Sequence, residues 1–201
     1  MRQRGFSIIE IAVTLVVLGM VLASAVPSMS AWVRNARLRN QSESVLSGLQ
    51  MARNEALRRN RPVSFYLVNQ PSGSALTNNC VVSATGGSWV VSVRTPDGAC
   101  AAAPTLTSTD TDNPLIVTSR LGTDGAQGVS VSAVGTDLST AASSITFDAL
   151  GRRSAGIARI TINYASAQSD DRPMRVDIGP SGNVRACDPA ITSTDDPRRC
   201  L

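Results

Sequence analysis

The residue types that carry most enzymatic and metal chemistry are scarce in this sequence. All 19 basic residues are Arg, and there is no Lys and no His. Without His there is no imidazole general base, no Ser-His-Asp triad and no His metal ligand; without Lys there is no P-loop or Schiff-base amine. Glu occurs only as Glu10, Glu43 and Glu55. Catalysis is therefore not expected, and neither is a cofactor or a metal centre. The cysteines Cys80, Cys100, Cys187 and Cys200 form no C-x-x-C pair, and a Cys nucleophile would lack an activating base. Asp110, Asp112 and Asn113 offer oxygen donors at close spacing, but no EF-hand loop follows. They read as a polar surface loop.

What remains is arginine chemistry, which is phosphate and carboxylate recognition through a planar fork of donors. The net charge of +4 is unevenly spread: about +5 over residues 34–61, −4 over 62–151 and +2 over 152–201. The sharpest candidate set is Arg152, Arg153, Arg185, Arg198 and Arg199. Arg185 follows a turn at Gly179-Pro180-Ser181-Gly182. With few aromatics nearby, any nucleic acid bound there would be held by its phosphates, without regard to sequence. The competing expectation is a solvated charged face, diluted by Asp188, Asp195 and Asp196.

The elements that position these residues are of two kinds. From Ile11 to Val33 no charge occurs, a stretch long enough for a helix to span a bilayer core. Pro27 inside it predicts a kink. Helical periodicity then continues: Val45, Leu49, Ala52 and Ala56 fall on one stripe, and the Arg61-Pro62 step ends the helix. A lone Glu10 near such a segment is costly unless partnered. Ala23-Ser24-Ala25 fits a signal-peptidase site, so a secreted soluble β-rich protein cut after Ala25 is the alternative reading.

Gly5-Phe6-Ser7-Ile8-Ile9-Glu10, followed by the apolar run with its Pro, resembles the class III leader of type IV pilins and type II secretion pseudopilins. Ala52-Arg53-Asn54-Glu55-Ala56-Leu57-Arg58-Arg59 resembles the A-R-x-E-A-x-x-R pattern of the GspH/FimT branch, the minor pilins and minor pseudopilins. The resemblance implies cleavage between Gly5 and Phe6 by a prepilin peptidase and N-methylation of Phe6. It also implies a partner for Glu10, the amino-terminal charge of Phe6 in a neighbouring subunit. Phe6, Glu10 and Pro27 are then the residues of filament assembly. Expected partners are other pilins or pseudopilins, the peptidase and the inner membrane, with the head in the periplasm and the subunit at the filament tip. In the FimT branch a glycine-and-arginine motif near the C-terminus is implicated in DNA uptake. Here Gly182-Asn183-Val184-Arg185 matches it in part, with Asn183 in place of a second Arg, which makes double-stranded DNA a further candidate partner.

Beyond Pro62, short β-branched runs alternate with Gly, Pro, Ser, Thr and Asp. Strands are predicted over 63–68, where Val63, Phe65 and Leu67 alternate with Ser64 and Tyr66 as on a half-buried strand, and over 89–94, 115–120, 129–134, 144–147, 159–164, 174–178 and 184–187. Segments 70–88, 95–114 and 135–143 read as long, mobile loops. The expected fold class is α+β: a long N-terminal helix packed on a β-rich antiparallel head. Its parts are a leader at 1–5, a transmembrane and filament-core segment at 6–33, an amphipathic segment at 34–61 and the head at 62–201. An exported head lies in an oxidising space, so two disulfides are expected. Three pairings are open; Cys80–Cys100 and Cys187–Cys200 are the local ones, and the second would staple the tail.

Overall fold

The computed structural model describes residues 7–70, 75–105, 107–122 and 126–200, with the side chains of 23–28 outside the description. One helix, α1, runs from Ile8 to Arg59, about 80 Å at 1.5 Å per residue. Pro27 lies within it as helical backbone. The helix stops because Asn60 turns left-handed, with φ 49°. Its N–H bonds the Leu57 carbonyl and that of Arg61 bonds Ala56, each at 3.3 Å. These paired bonds satisfy carbonyls the helix would otherwise leave open, and Pro62 prevents continuation.

The two halves of α1 differ in surroundings. Side chains from Ile8 to Leu22 are exposed, as are Met29 and Trp32. Leu38, Val45, Leu49, Ala52 and Ala56 are fully buried under the head. Leu57 is half exposed, beside the stripe as its helical position requires.

All the paired strands of the head are antiparallel. Its first sheet comprises β1 (Val63–Asn69), β2 (Val81–Val82), β3 (Ser88–Ser92), β4 (Ile116–Arg120), β6 (Ser144–Phe147) and β7 (Arg153–Gly156). The order is β4-β3-β1-β6-β7, with β2 also on β1. The second sheet comprises β5 (Val129–Val134), β8 (Arg159–Tyr164), β9 (Met174–Ile178) and β10 (Val184–Cys187), in the order β10-β9-β8-β5. Backbone bonds from Ala142 to Ala133 and from Arg153 to Pro180 join the sheets. The core lies between α1 and the inner faces of both: Phe65, Leu67, Ile145, Phe147, Ile160, Ile162 and Val176 are completely buried. The strict alternation of β8, with Ile160, Ile162 and Tyr164 inward, is that of a sheet with one solvated face.

Three expectations need correction. β1 is buried on both faces, not half-buried, because a second cluster of Val68, Val90, Ile116, Cys80 and Cys100 covers the outer face of the first sheet. Residues 75–88 and 95–105, within the segments expected as mobile loops, supply that cover. A Cys80–Cys100 disulfide joins them, and Arg94 Nη1 donates to the carbonyls of Asp110, Thr111 and Asn113 at 3.1, 3.3 and 3.0 Å. Strands β2 and β7 were not anticipated, and β4 begins at Ile116 because Leu115 is left-handed, with φ 54°.

Candidate assembly helix and basic grooves

Glu10 stands in the first turn of α1, exposed, and makes no ion pair among the described residues. A carboxylate there is favoured by the helix dipole, but its side chain has no partner among the described residues. Gly5 and Phe6, the expected processing residues, lie outside the described residues, as does the side chain of Pro27. Among the described residues no helix is long and apolar enough to cross a membrane.

Where α1 enters the head, a polar joint fixes it. Arg34 Nε and Nη2 donate to Asp171 Oδ1 and Oδ2 at 2.7 and 2.5 Å. The guanidinium also stacks on Tyr164, 3.9 Å from the ring centroid, and Tyr164 Oη donates to the Arg34 carbonyl at 3.2 Å. The Arg34 hydrogen bonds hold the Asp171 carboxyl below its ordinary range, against the opposing effect of burial. Asn35 completes the joint, donating to the Asp170 carbonyl and accepting from the Arg172 N–H.

At the other end of the helix, the Ala-Arg-x-Glu pattern has a structural use. Arg53 Nε donates to the Gly151 carbonyl at 3.0 Å. Glu55 is buried and paired with Arg58 and Arg59. Burial pushes its carboxyl up, but the two arginines outweigh that and the net shift is downward. Gly151 and Gly182 both take positive φ, 71° and 77°, and a Cβ on Gly182 would collide with the Gly151 carbonyl. Arg53 and both turns thus converge on one carbonyl. Asp148 closes the 148–152 turn by accepting from the N–H groups of Leu150 and Arg152.

The five candidate arginines do not form one face. Arg153 and Arg185 line one groove, with Arg159, Asp177 and Asn183. Asp177 sits between Arg185 and Arg159 in the strand register and pairs with Arg159 and Arg175. Arg153 Nη1 donates to the Ile178 carbonyl at 2.7 Å. Arg185 Nη2 donates to the tail carbonyls of Pro197 and Arg199, so this side chain holds the tail down. Arg152 pairs with Asp148 instead. Arg198 pairs with Asp196, whose carboxyl that contact lowers to about 2, and lines a separate groove with Arg39 and Arg172. The Arg199 N–H bonds the Asp196 carbonyl. Arg159 and Arg175 were missed in the sequence; their only signal was alternation with Ile160 and Val176 on predicted strands.

A Cys187–Cys200 disulfide closes the tail on β10. Asp177, Cys187 and Cys200 lie close enough to suggest a metal site, but both sulfurs belong to that disulfide and are not thiolate ligands.

The family model for the type II transport protein GspH matches residues 41–182, and that for the prokaryotic N-terminal methylation motif matches residues 1–26. The architecture is that of type IV pilin-like subunits, and the chain belongs to the GspH family of minor pilins and pseudopilins. No curated protein matches it. Among solved structures it is similar to the type IV minor pilin FimU of Pseudomonas aeruginosa (strain PAO1) in two crystal forms. One is 17% identical with a TM-score of 0.45, over 74% of this chain and 86% of that one. The other is 15% identical with a TM-score of 0.43, over 74% and 90%. The family is one of structural subunits that assemble with other pilins or pseudopilins in a filament. Together with the methylation motif it implies anchoring in the inner membrane with the head in the periplasm.

Proposed function

We propose that this chain is a filament subunit cut between Gly5 and Phe6 by a prepilin peptidase, methylated on Phe6, held in the membrane by residues 6–33 and incorporated at the filament tip. The observation that carries this reading is the contrast along α1. Its first half exposes an apolar surface from Ile8 to Leu22 with a Glu10 that has no partner among the described residues, while its second half buries its apolar stripe under the head. Such a surface is stable only in lipid or against other helices, and a neighbour's Phe6 amine would neutralise Glu10. Glu10→Ala tests the pairing. It should leave cleavage and membrane insertion intact and reduce recovery of the subunit in sheared filaments; normal recovery would refute it. Immunogold labelling of the head should mark filament ends and not their length.

A second role is capture of double-stranded DNA, supported by the groove where Arg153, Arg159 and Arg185 face Asp177. Binding there releases counterions, so affinity for duplex of any sequence should fall steeply with salt, with a log–log slope of about −0.9 per phosphate contact. Arg159→Gln and Arg185→Gln should each flatten that slope, and the pair Arg198→Gln with Arg199→Gln, which lies outside this groove, should do so less. Arg120→Gln, on the exposed end of β4, should not. Equal effects from all of these would mean generic charge, and no gel shift at low salt would remove the role.

A further inference from the structure

We infer that the groove between α1 and the stapled tail binds the phosphate of an anionic phospholipid headgroup while the subunit stands in the membrane. The inference rests on the membrane-anchored reading above. The floor of the groove is apolar, made by Met174, Ala186 and Cys187, and its rim carries Arg39, Arg172 and Arg198.

The grouping of the arginines distinguishes the site. Many Arg guanidiniums elsewhere are used: by Asp171 at Arg34, Glu55 at Arg58 and Arg59, Asp177 at Arg159, and backbone carbonyls at Arg53, Arg94, Arg153 and Arg185. Arg39 and Arg172 are exposed and their guanidiniums have no hydrogen bond or ion pair among the described residues. Arg198 is held by Asp196 at the rim. Asp188 also lines the groove and accepts the Ala190 N–H at 2.9 Å, so with Asp196 two carboxylates stand against three guanidiniums and the balance stays positive. Two free cations therefore converge over an apolar floor.

Position along the helix names the ligand. Trp32 is 71% exposed and Met29 67%, placing an aromatic at the end of the apolar run, where Trp marks the membrane–water interface. Arg39 follows Trp32 by seven residues, about 10 Å along the axis. That height and the reach of an Arg side chain put the rim at the headgroup layer, where basic side chains bind anionic lipid. The apolar floor would take the glycerol and first methylenes of the same lipid.

The test uses the full chain in neutral detergent, titrated with dioctanoyl phosphatidylglycerol, dioctanoyl phosphatidylcholine or inorganic phosphate, with native mass spectrometry reading retained ligand. The phosphatidylglycerol should be retained in preference to phosphatidylcholine. Arg39→Gln and Arg172→Gln should each weaken it about fivefold, the weight of one arginine at an anionic surface, while Arg120→Gln should leave it unchanged. Equal retention of the two lipids, or an unaltered double variant, would overturn the site. Displacement of the lipid by an equal concentration of inorganic phosphate would make it a free-phosphate site and overturn the lipid assignment. Membrane fractionation is scored separately. Absence of the parent chain from membranes overturns the anchoring and the occupant with it, whereas an anchored chain without lipid preference overturns the groove alone.

Discussion

Arg34 and Asp171 are 137 positions apart in the chain, and their bond decides how the head sits on its stem. Asp171 is nearly inaccessible, with 3% of its side chain exposed, against 22% for Arg34. Asp171→Asn leaves that guanidinium facing a neutral amide and should cost about 1–3 kcal/mol in thermal unfolding of the full chain in detergent. The pH dependence has a definite sign. A carboxyl whose folded pKa lies below its unfolded value contributes fully above the unfolded value, about 4, and loses that contribution as pH falls through the folded one. Asp171 is such a group, so stability should drop below about pH 4, and Asp171→Asn should flatten the drop; an unchanged acid profile would contradict the joint. None of this was legible in the sequence, where Arg34 and Asp171 counted only towards the charge of two distant segments. Local chemistry fared better. The Ala-Arg-x-Glu pattern singled out the stretch holding Arg53, which bonds the Gly151 carbonyl. Of Arg185 the sequence revealed the charge but not the two tail carbonyls that occupy it.

At the scale of elements, clear periodicity located the helix and the strands of the inner core, because buried Ile and Val at alternate positions leave little choice of register. β7, whose sequence is Arg-Ser-Ala-Gly, has no such pattern and exists through pairing with β6. β2 is held by β1 in the same way. The close approach of α1 to the first sheet depends on Gly48. A Cβ there would lie 2.7 Å from Phe65 Cε2 and 3.0 Å from the Trp89 ring. Gly48→Ala gains about 1 kcal/mol of helix propensity but meets an overpacking cost of about 1–3 kcal/mol. A lowered melting temperature is expected, and a raised one would mean that the helix can lift off the sheet. Gly182→Ala should be worse, since its φ of 77° and the adjoining Gly151 carbonyl both oppose a side chain. Its cost should exceed about 1 kcal/mol, read in the same melting experiment.

For the whole molecule, two layers of cover turn a small sheet fold into a stable head: α1 inside, and the Cys80–Cys100 segments outside. The outer cover escaped sequence reading because its segments are rich in Ser, Thr, Ala and Gly without periodicity, and long-range contacts order them: the cross-link, the Arg94 bonds, and bonds such as Val82 N–H to Asp97 and Ala101 N–H to Asn78. A non-reduced digest of the exported chain should contain no free thiol, with Cys187 linked to Cys200; a free Cys200 would mean an unstapled tail. Opening that loop by Cys200→Ser should cost about 3 kcal/mol on the chain-entropy account.

Processing and anchoring as a filament subunit fix where the mature chain begins. Mass spectrometry of the chain recovered from membranes or sheared filaments should find N-methylated Phe6 as its first residue, with the apolar run to Val33 retained. A mature chain beginning at Val26 would contradict the account, since cleavage after Ala25 removes Glu10 and most of the exposed apolar half of α1 together.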